Sequence, residues 1–486
     1  MNVTDPIRER AQANPDAPAV VGPDGTVAPY RELERTINLV AAGVRRLGFG
    51  PGALLAVRTN RPYRHLCVRL ALARLGIGIA PGAMRARGID ACLADGDTRD
   101  ETWTRFEKIE RLWPRNSAAA HPVDAIPSHQ DSSAVFALFP TSGTSGEPRY
   151  VGLSHELAAQ RLSVSVPMTG ISGVVRELCT IGIETSYCFL SRLRVLWNGG
   201  VVVMAHSSPK RMLGTIEDQR VNRLVAAPLT LNALARARSA GLPRPDALEQ
   251  IETGGSALPA PLFEIVRERL CANVITRYGA TETGYVASAP VASLISRPGA
   301  VGYVDARVEM QAVDAAGLPL PPGMEGELRV RSPGCASAYY GDPEGSAGVF
   351  RAGWVYPGDS GTLDDARLLT LSGRSSELID QVGNKVSPSA IEAVLLSEPG
   401  LKDAAAFGVP NPLGVTMVWA AIVHDGRVDV KALWELCRER LGTKAPVRFL
   451  MLRELPRNEA GKVLRGKLAE KAIEAMAKRQ RSPASR

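Results

Sequence analysis

What the chain lacks narrows its function early. Its seven cysteines (Cys67, Cys92, Cys179, Cys188, Cys271, Cys335 and Cys437) are scattered, odd in number and never spaced C-x-x-C. That argues against a disulfide framework and a zinc site, and they read as small buried hydrophobes in a reducing compartment. The six histidines show no H-E-x-x-H or similar ligand spacing. No apolar run reaches the ~20 residues of a membrane span. Met1-Asn2-Val3-Thr4-Asp5-Pro6 has neither a basic start nor an apolar h-region, so the expectation is a cytoplasmic protein. Aromatics make up only 5% and form no stripe with basic residues, so no nucleic-acid partner is expected. The motif G-x-x-x-x-G-K-[ST] is missing, which excludes an ordinary P-loop kinase or ATPase. Charge is nearly balanced, with 58 Lys and Arg against 50 Asp and Glu, for a net +8. Part of the excess lies in Lys478-Arg479-Gln480-Arg481, read as a solvated, frayed tail. The rest suits attraction of anionic small molecules.

What remains is an ordinary globular composition, 45% hydrophobic and 22% charged, in 486 residues. That is room for more than one domain. The chain is organised around Phe139-Pro140-Thr141-Ser142-Gly143-Thr144-Ser145-Gly146-Glu147-Pro148-Arg149. An apolar segment of strand length, residues 133–139, precedes it, and Tyr150-Val151-Gly152-Leu153-Ser154-His155 leads into a helix. Glycines let backbone N–H groups approach a phosphate, and the hydroxyls add donors, so a triphosphate is the natural guest.

The periodicity predicts a helix over Tyr30–Leu47, a strand over Ala53–Val57 and a helix over His65–Leu75 capped by Gly76. Residues 81–131 show few periodic apolar positions and read as a poorly packed connection or shortened subdomain. Strands follow at Gly199–Met204, Arg223–Ala227 (closed by Pro228), Gln250–Gly255 and Ala272–Thr276, with helices at Leu229–Ala240 and Pro261–Leu270. This alternation implies parallel βαβ units. From about Gly299, Val308–Val313 and Gly326–Arg331 alternate as antiparallel strands do. A polar break at Gly373-Arg374-Ser375-Ser376-Glu377 precedes helices at Pro388–Ser397 and Val430–Leu441 and strands at Ala404–Val409 and Val418–Val423. The expected architecture is α/β. A large N-terminal domain (1–374) of βαβ subdomains and a β-rich subdomain is followed by a small mobile α+β domain (375–486) hinged near Ser376.

Four further motifs follow the loop. Tyr278-Gly279-Ala280-Thr281-Glu282-Thr283 comes straight after a predicted strand, where open α/β sheets bind ligands. There Tyr278 can stack on a base, Thr281 can donate to phosphate and Glu282 can hold Mg²⁺ through a hard oxygen. Asp359, read as ending a strand, can take both hydroxyls of a ribose, and Arg374 can add a donor. Lys462, on the turn Pro456–Arg465, can neutralise charge at a carboxylate–phosphate centre.

In this order, from Tyr30 to Arg465, these motifs resemble the adenylate-forming superfamily of acyl-CoA synthetases, peptide-synthetase adenylation domains and luciferases. Thr141 to Arg149 looks like its phosphate loop. Gly254-Gly255-Ser256-Ala257-Leu258 looks like its adenine-side turn. Asp359 and Arg374 look like its ribose pair. Gly383-Asn384-Lys385-Val386-Ser387-Pro388, with Ile391-Glu392, looks like the first segment of its small domain, and Lys462 matches its adenylation lysine. The resemblance implies ATP and Mg²⁺. It also implies a two-step reaction in which a carboxylate forms an acyl-adenylate and a thiol then displaces AMP. The thiol would be coenzyme A or the phosphopantetheine of a carrier protein. A degenerate homologue that keeps the fold without turnover is the contrasting reading, against which the intact Thr281, Glu282, Asp359, Arg374 and Lys462 argue. Two residues depart from the pattern: Arg149 stands where the family usually has Lys, and Ser376 where an acidic hinge residue is common.

For the acid, members that activate α-amino acids carry an Asp before the Gly199-Gly200 turn. Here the matching place holds Thr185-Ser186, with Glu184 one step away. A standard α-amino acid is therefore not expected, while Glu184 leaves an amine-bearing substrate open. Arg277 either binds a second carboxylate, as in some dicarboxylate-activating relatives, or turns to solvent. Tyr187, Val286 and Ala287 suggest a small to medium, mainly apolar acid.

Overall fold

The computed structural model describes residues 1–82, 84, 88–96, 105–113, 125–141, 149–164, 171–238, 244–374, 379–381, 384–398, 400–410, 416–426, 428–458 and 463–481. Ser376 and the break at 375–378 lie outside these residues, as do Ser142 to Pro148, Gly383 and Lys462.

The first layer is a six-stranded sheet in the order Phe106–Lys108, Ala91–Ala94, Leu54–Arg58, Gly78–Pro81, Val135–Pro140, Tyr150–Ser154. Its strands are parallel except the last, which returns antiparallel from Val135–Pro140. The described residues within 81–131 are better built than their sequence suggests. Ala91–Ala94 is buried throughout and pairs in parallel with Leu54–Arg58. Strands of three or four residues carry too little periodicity to stand out.

The second sheet runs in parallel through Pro18–Val21, Val201–Val203, Arg176–Cys179, Arg223–Val225, Gln250–Gly254 and Val274–Ala280. It then turns antiparallel through Gly284–Pro290, Ala300–Val304, Leu368–Arg374 and Asp359–Leu363. The βαβ grammar and the later antiparallel part thus share one sheet. Pro228 does not close a strand but opens the helix Pro228–Ala237, where its missing N–H costs nothing. The strand Val274–Ala280 runs four residues past its expected end, so Tyr278 sits within it. Asp359 begins a strand instead of ending one.

The C-terminal part is α+β. Leu401–Pro410 and Thr416–His424 form an antiparallel pair, Arg448–Met451 joins in parallel, and the helices Pro388–Leu396 and Val430–Leu441 pack with it. Its buried residues form two clusters of their own on either face. The expected frayed tail is instead the end of the helix Arg465–Arg481, whose Leu468 and Ala472 are buried against Phe407 and Trp419.

Candidate active site

The phosphate-loop segment is the connection of a hairpin. Pro140 pairs with Tyr150, and the Thr141 N–H donates to the Arg149 carbonyl at 2.8 Å, so both ends of the loop are pinned. The turn Thr281-Glu282-Thr283 joins two antiparallel strands of the second sheet. It is closed by the Ala280 N–H, which donates to Thr283 Oγ1 at 3.0 Å. The Thr281 hydroxyl reaches back to the Pro140 carbonyl at 3.4 Å and ties this turn to the loop.

Beneath the turn lies Arg161, which no motif pointed to. Its Nη2 donates to the carbonyls of Thr281 (2.8 Å) and Glu282 (3.3 Å), and its Nε to that of Gly334 (2.9 Å). Burial lowers this guanidinium to about 10, still charged at neutral pH. The sequence signal was an arginine one turn beyond buried Ala158 on an amphipathic helix, where arginine is unusual.

Glu282 Oε1 accepts from the Tyr339 hydroxyl at 2.8 Å. Tyr339 is 7% exposed, and burial, then the Glu282 carboxylate, raises its hydroxyl. Arg149 lies over the same ring, 5.4 Å from its centroid, with its Nε 3.2 Å from Asp342 Oδ2. Tyr339 thus stands between the loop's cation and the metal-binding candidate. Among the described residues no group of three His, Cys, Asp or Glu side chains could hold a metal by themselves. Glu282 still fits Mg²⁺, which commonly rests on one or two carboxylates plus substrate phosphates.

On the nucleotide side, Gly254 pairs with Arg277 across adjacent parallel strands, so the turn Gly255-Ser256-Ala257 and Tyr278 emerge at the same edge. Gly255 has φ +85°, a conformation suited to glycine. The Tyr278 hydroxyl donates to Asp359 Oδ2 at 2.6 Å, and Asp359 is only 4% exposed. Asp359 also lies opposite Arg374 across two antiparallel strands. The side chains of Arg374 and Lys385 fall outside the described residues.

On the acid side, the Thr185 hydroxyl is occupied as a helix cap, accepting from the Cys188 N–H (3.2 Å) and donating to the Gly182 carbonyl (2.7 Å). Ser186 opens the helix Ser186–Trp197. Glu184 Oε1 accepts from the Gly82 N–H at 3.1 Å, joining the two sheets. Arg277 is not turned to solvent. It is flanked by the rings of Tyr187 (4.3 Å) and Tyr285 (5.5 Å), and its Nη1 lies 3.4 Å from Glu252 Oε1.

Glu252 belongs to a buried charge network that the sequence reading missed. Arg223, fully buried, pairs with both Glu177 and Glu252, and Arg194 and the Tyr187 hydroxyl complete the shell of Glu252. Burial pushes the Glu252 carboxyl up, but Arg223, Arg194 and Arg277 outweigh it and hold it at about 2. The available signal was Glu177, Arg223 and Glu252 standing inside short apolar strands.

Comparison with known proteins agrees with this arrangement. A family model described as AMP-binding enzyme matches residues 84–340, and one described as AMP-binding enzyme C-terminal domain matches 390–462. A feruloyl-CoA synthase from Amycolatopsis sp is 29% identical over 488 residues, covering 95% of this chain and 97% of the relative. The fatty acid–[acyl-carrier-protein] ligase ScoC from Streptomyces coeruleorubidus is 27% identical, covering 95% and 94%. The structure of the amide bond synthetase McbA from Marinactinospora thermotolerans superimposes with a TM-score of 0.83 at 26% identity, covering 97% and 99%. The chain therefore belongs to the AMP-binding enzyme family, within the adenylate-forming superfamily.

Proposed function

We propose that the chain is an ATP-dependent acid–thiol ligase that adenylates a carboxylic acid and passes the acyl group to coenzyme A. The observation that carries this reading is the pair of ties made by the strand Val274–Ala280 and the turn that follows it. Thr281 reaches the end of the phosphate-loop strand, and Tyr278 reaches the buried Asp359. A nucleotide with its phosphates at the loop and its ribose at Asp359 would lie along that turn.

In the first step a carboxylate oxygen attacks the α-phosphorus of ATP, the bond to the bridging oxygen breaks, and pyrophosphate leaves. Thr281 exchanges its bond to the Pro140 carbonyl for one to phosphate, Arg149 screens the phosphate charge from the loop's end, and Lys462 neutralises charge on the carboxylate and α-phosphate oxygens. Such transfer rests on positioning and charge neutralisation. Mg²⁺ held by Glu282 would supply further neutralisation. In the second step the thiol sulfur attacks the acyl carbon, loses its proton, and AMP leaves with the former carboxylate oxygen. Rotation of the small domain 375–486 near Ser376 would withdraw Lys462 and bring Gly383 and Lys385 to the site, excluding water from the adenylate.

Arg277, between two tyrosine rings at the acid side, supports an acid with a second anionic or electron-rich group. Glu184 is already engaged by the Gly82 N–H, which weakens the amine-bearing alternative. Loading of a carrier-protein thiol is the second reading, favoured by the Streptomyces relative named for that acceptor. The test is ATP–pyrophosphate exchange over aryl, short acyl, dicarboxylic, β-amino and α-amino acids, with products then identified with and without coenzyme A. Exchange with one class followed by a coenzyme A thioester supports the ligase. Exchange without the thioester supports the carrier-protein reading, and no exchange supports a non-catalytic homologue. Lys462→Ala is expected to lower exchange by roughly two to three orders of magnitude.

A further inference from the structure

Away from the nucleotide residues, three basic side chains are buried together without their full complement of partners. Arg69 is 1% exposed, and its Nε and Nη1 have no hydrogen-bond partner. Its guanidinium lies over Phe139 (5.3 Å) and Phe189 (5.6 Å). Burial lowers it to about 10, which leaves it charged at neutral pH. His65, 2% exposed and with Nε2 unpartnered, is kept neutral by burial and by Arg69 and Arg192. Arg192 is 8% exposed, and its buried Nε also lacks a partner.

The carboxylate acting on Arg69 is Glu184. Glu177, also nearby, is committed to Arg223. Two guanidiniums against one carboxylate leave a surplus positive charge. The Cys188 thiol is lowered by a hydrogen bond with Cys179, and Arg192 and Arg69 also lower it against the opposing effect of burial. A buried, unpaired cation is costly, and a counter-anion offsets that cost.

The structure also offers a place for one. Arg192 lines a cavity of about 190 Å³ together with Pro62, Thr180, Met204, His206 and Met212. It lies past the carboxyl ends of Arg176–Cys179 and Val201–Val203, where open α/β sheets take ligands. The lining combines the cation of Arg192 and the polar Thr180 and His206 with the apolar Met204, Ala205 and Met212, and methionines adapt to shape.

We propose that this cavity is a second ligand site for a small organic carboxylate, its carboxylate on Arg192 and its apolar body against Met204 and Met212. The site is defined without nucleotide and goes beyond the ligase reading. Because Thr180 and Glu184 flank one loop, occupancy here would bear on the acid side of the active site.

The test follows 4-fluorobenzoate by fluorine NMR with the full chain and no ATP. Binding is expected in the natural protein and in Arg277→Met. Loss of the charge-assisted pair in Arg192→Met is expected to weaken it about tenfold or more. Without ligand, Arg192→Met is expected to melt no lower than the natural protein, because it removes an unpaired buried charge. Ala205→Phe, which fills the cavity and keeps Arg192, is expected to abolish the same signal. Equal binding by all variants would overturn the proposal, as would an Arg192→Met variant that fails to fold. So would binding of inorganic phosphate without binding of 4-fluorobenzoate.

Discussion

The Tyr339 hydroxyl donates to Glu282 Oε1 at 2.8 Å while the face of the same ring receives Arg149. One buried tyrosine therefore holds both a carboxylate suited to Mg²⁺ and the cation at the end of the candidate phosphate loop. Tyr339→Phe keeps the ring and its contact with Arg149 but removes the donor. Hydrogen bonds to charged groups contribute about 1.5–3 kcal/mol, so kcat/KM for ATP should fall by roughly tenfold or more. Steady-state kinetics at varied Mg²⁺ check this, and an unchanged value would separate Tyr339 from the metal site.

Asp342 holds Arg149 through a half-exposed pair, with side chains 49% and 37% exposed. The same carboxylate caps the short helix Pro343–Ala347 by accepting from the Gly345 N–H, a role that asparagine keeps. Asp342→Asn should release Arg149 toward phosphate. Exposed pairs contribute about 0–1 kcal/mol, so KM for ATP should fall by up to about fivefold. A rise in KM would mean that Asp342 positions Arg149 in the nucleotide-bound state.

The strands flanking the candidate loop were legible because a short apolar run ending in turn residues is a local signal. The antiparallel partner of Tyr278, the strand Gly284–Pro290, was not, because it follows directly on a motif that read as a turn. Asp359 was named as a candidate site residue from its own segment, yet its bond to Tyr278 depends on a partner 81 positions away. Glu177, Arg223 and Glu252 were hidden for the same physical reason, and Arg161, on the helix His155–Ser163, bonds carbonyls 120 and 173 positions away. A charged residue in an apolar strand is tolerable only with partners from other strands, and the register that supplies them is not written locally.

Stability should respond to acid in two stages. The His155 ring is buried and stacked on Phe136 (4.6 Å), and its Nδ1 accepts from the Val3 N–H at 3.2 Å. Burial lowers it from 6.5 to about 4. A depressed folded value means the unfolded chain binds the proton first. His155 therefore favours the fold above pH 6.5, and that contribution is lost as pH falls toward 4. Glu252, lowered from 4.5 to about 2, adds a second loss below pH 4.5. Urea midpoints measured from pH 8 to 3 should decline in that order, and His155→Asn should shrink the first stage, leaving the part that buried, neutral His65 carries. At neutral pH, Glu252→Ala should cost about 3–5 kcal/mol by leaving Arg223 short of a buried partner. A loss below 1 kcal/mol would contradict the network.

The most direct test of the central claim is the fate of the carboxylate oxygen. With a substrate acid labelled by ¹⁸O in both carboxyl oxygens, adenylation followed by thiol attack should deliver one ¹⁸O into AMP for each coenzyme A thioester formed. Mass spectrometry of the nucleotide product reads this in a single reaction. Singly labelled AMP with pyrophosphate is the expected result; unlabelled AMP, or ADP with labelled phosphate, would contradict the acyl-adenylate route.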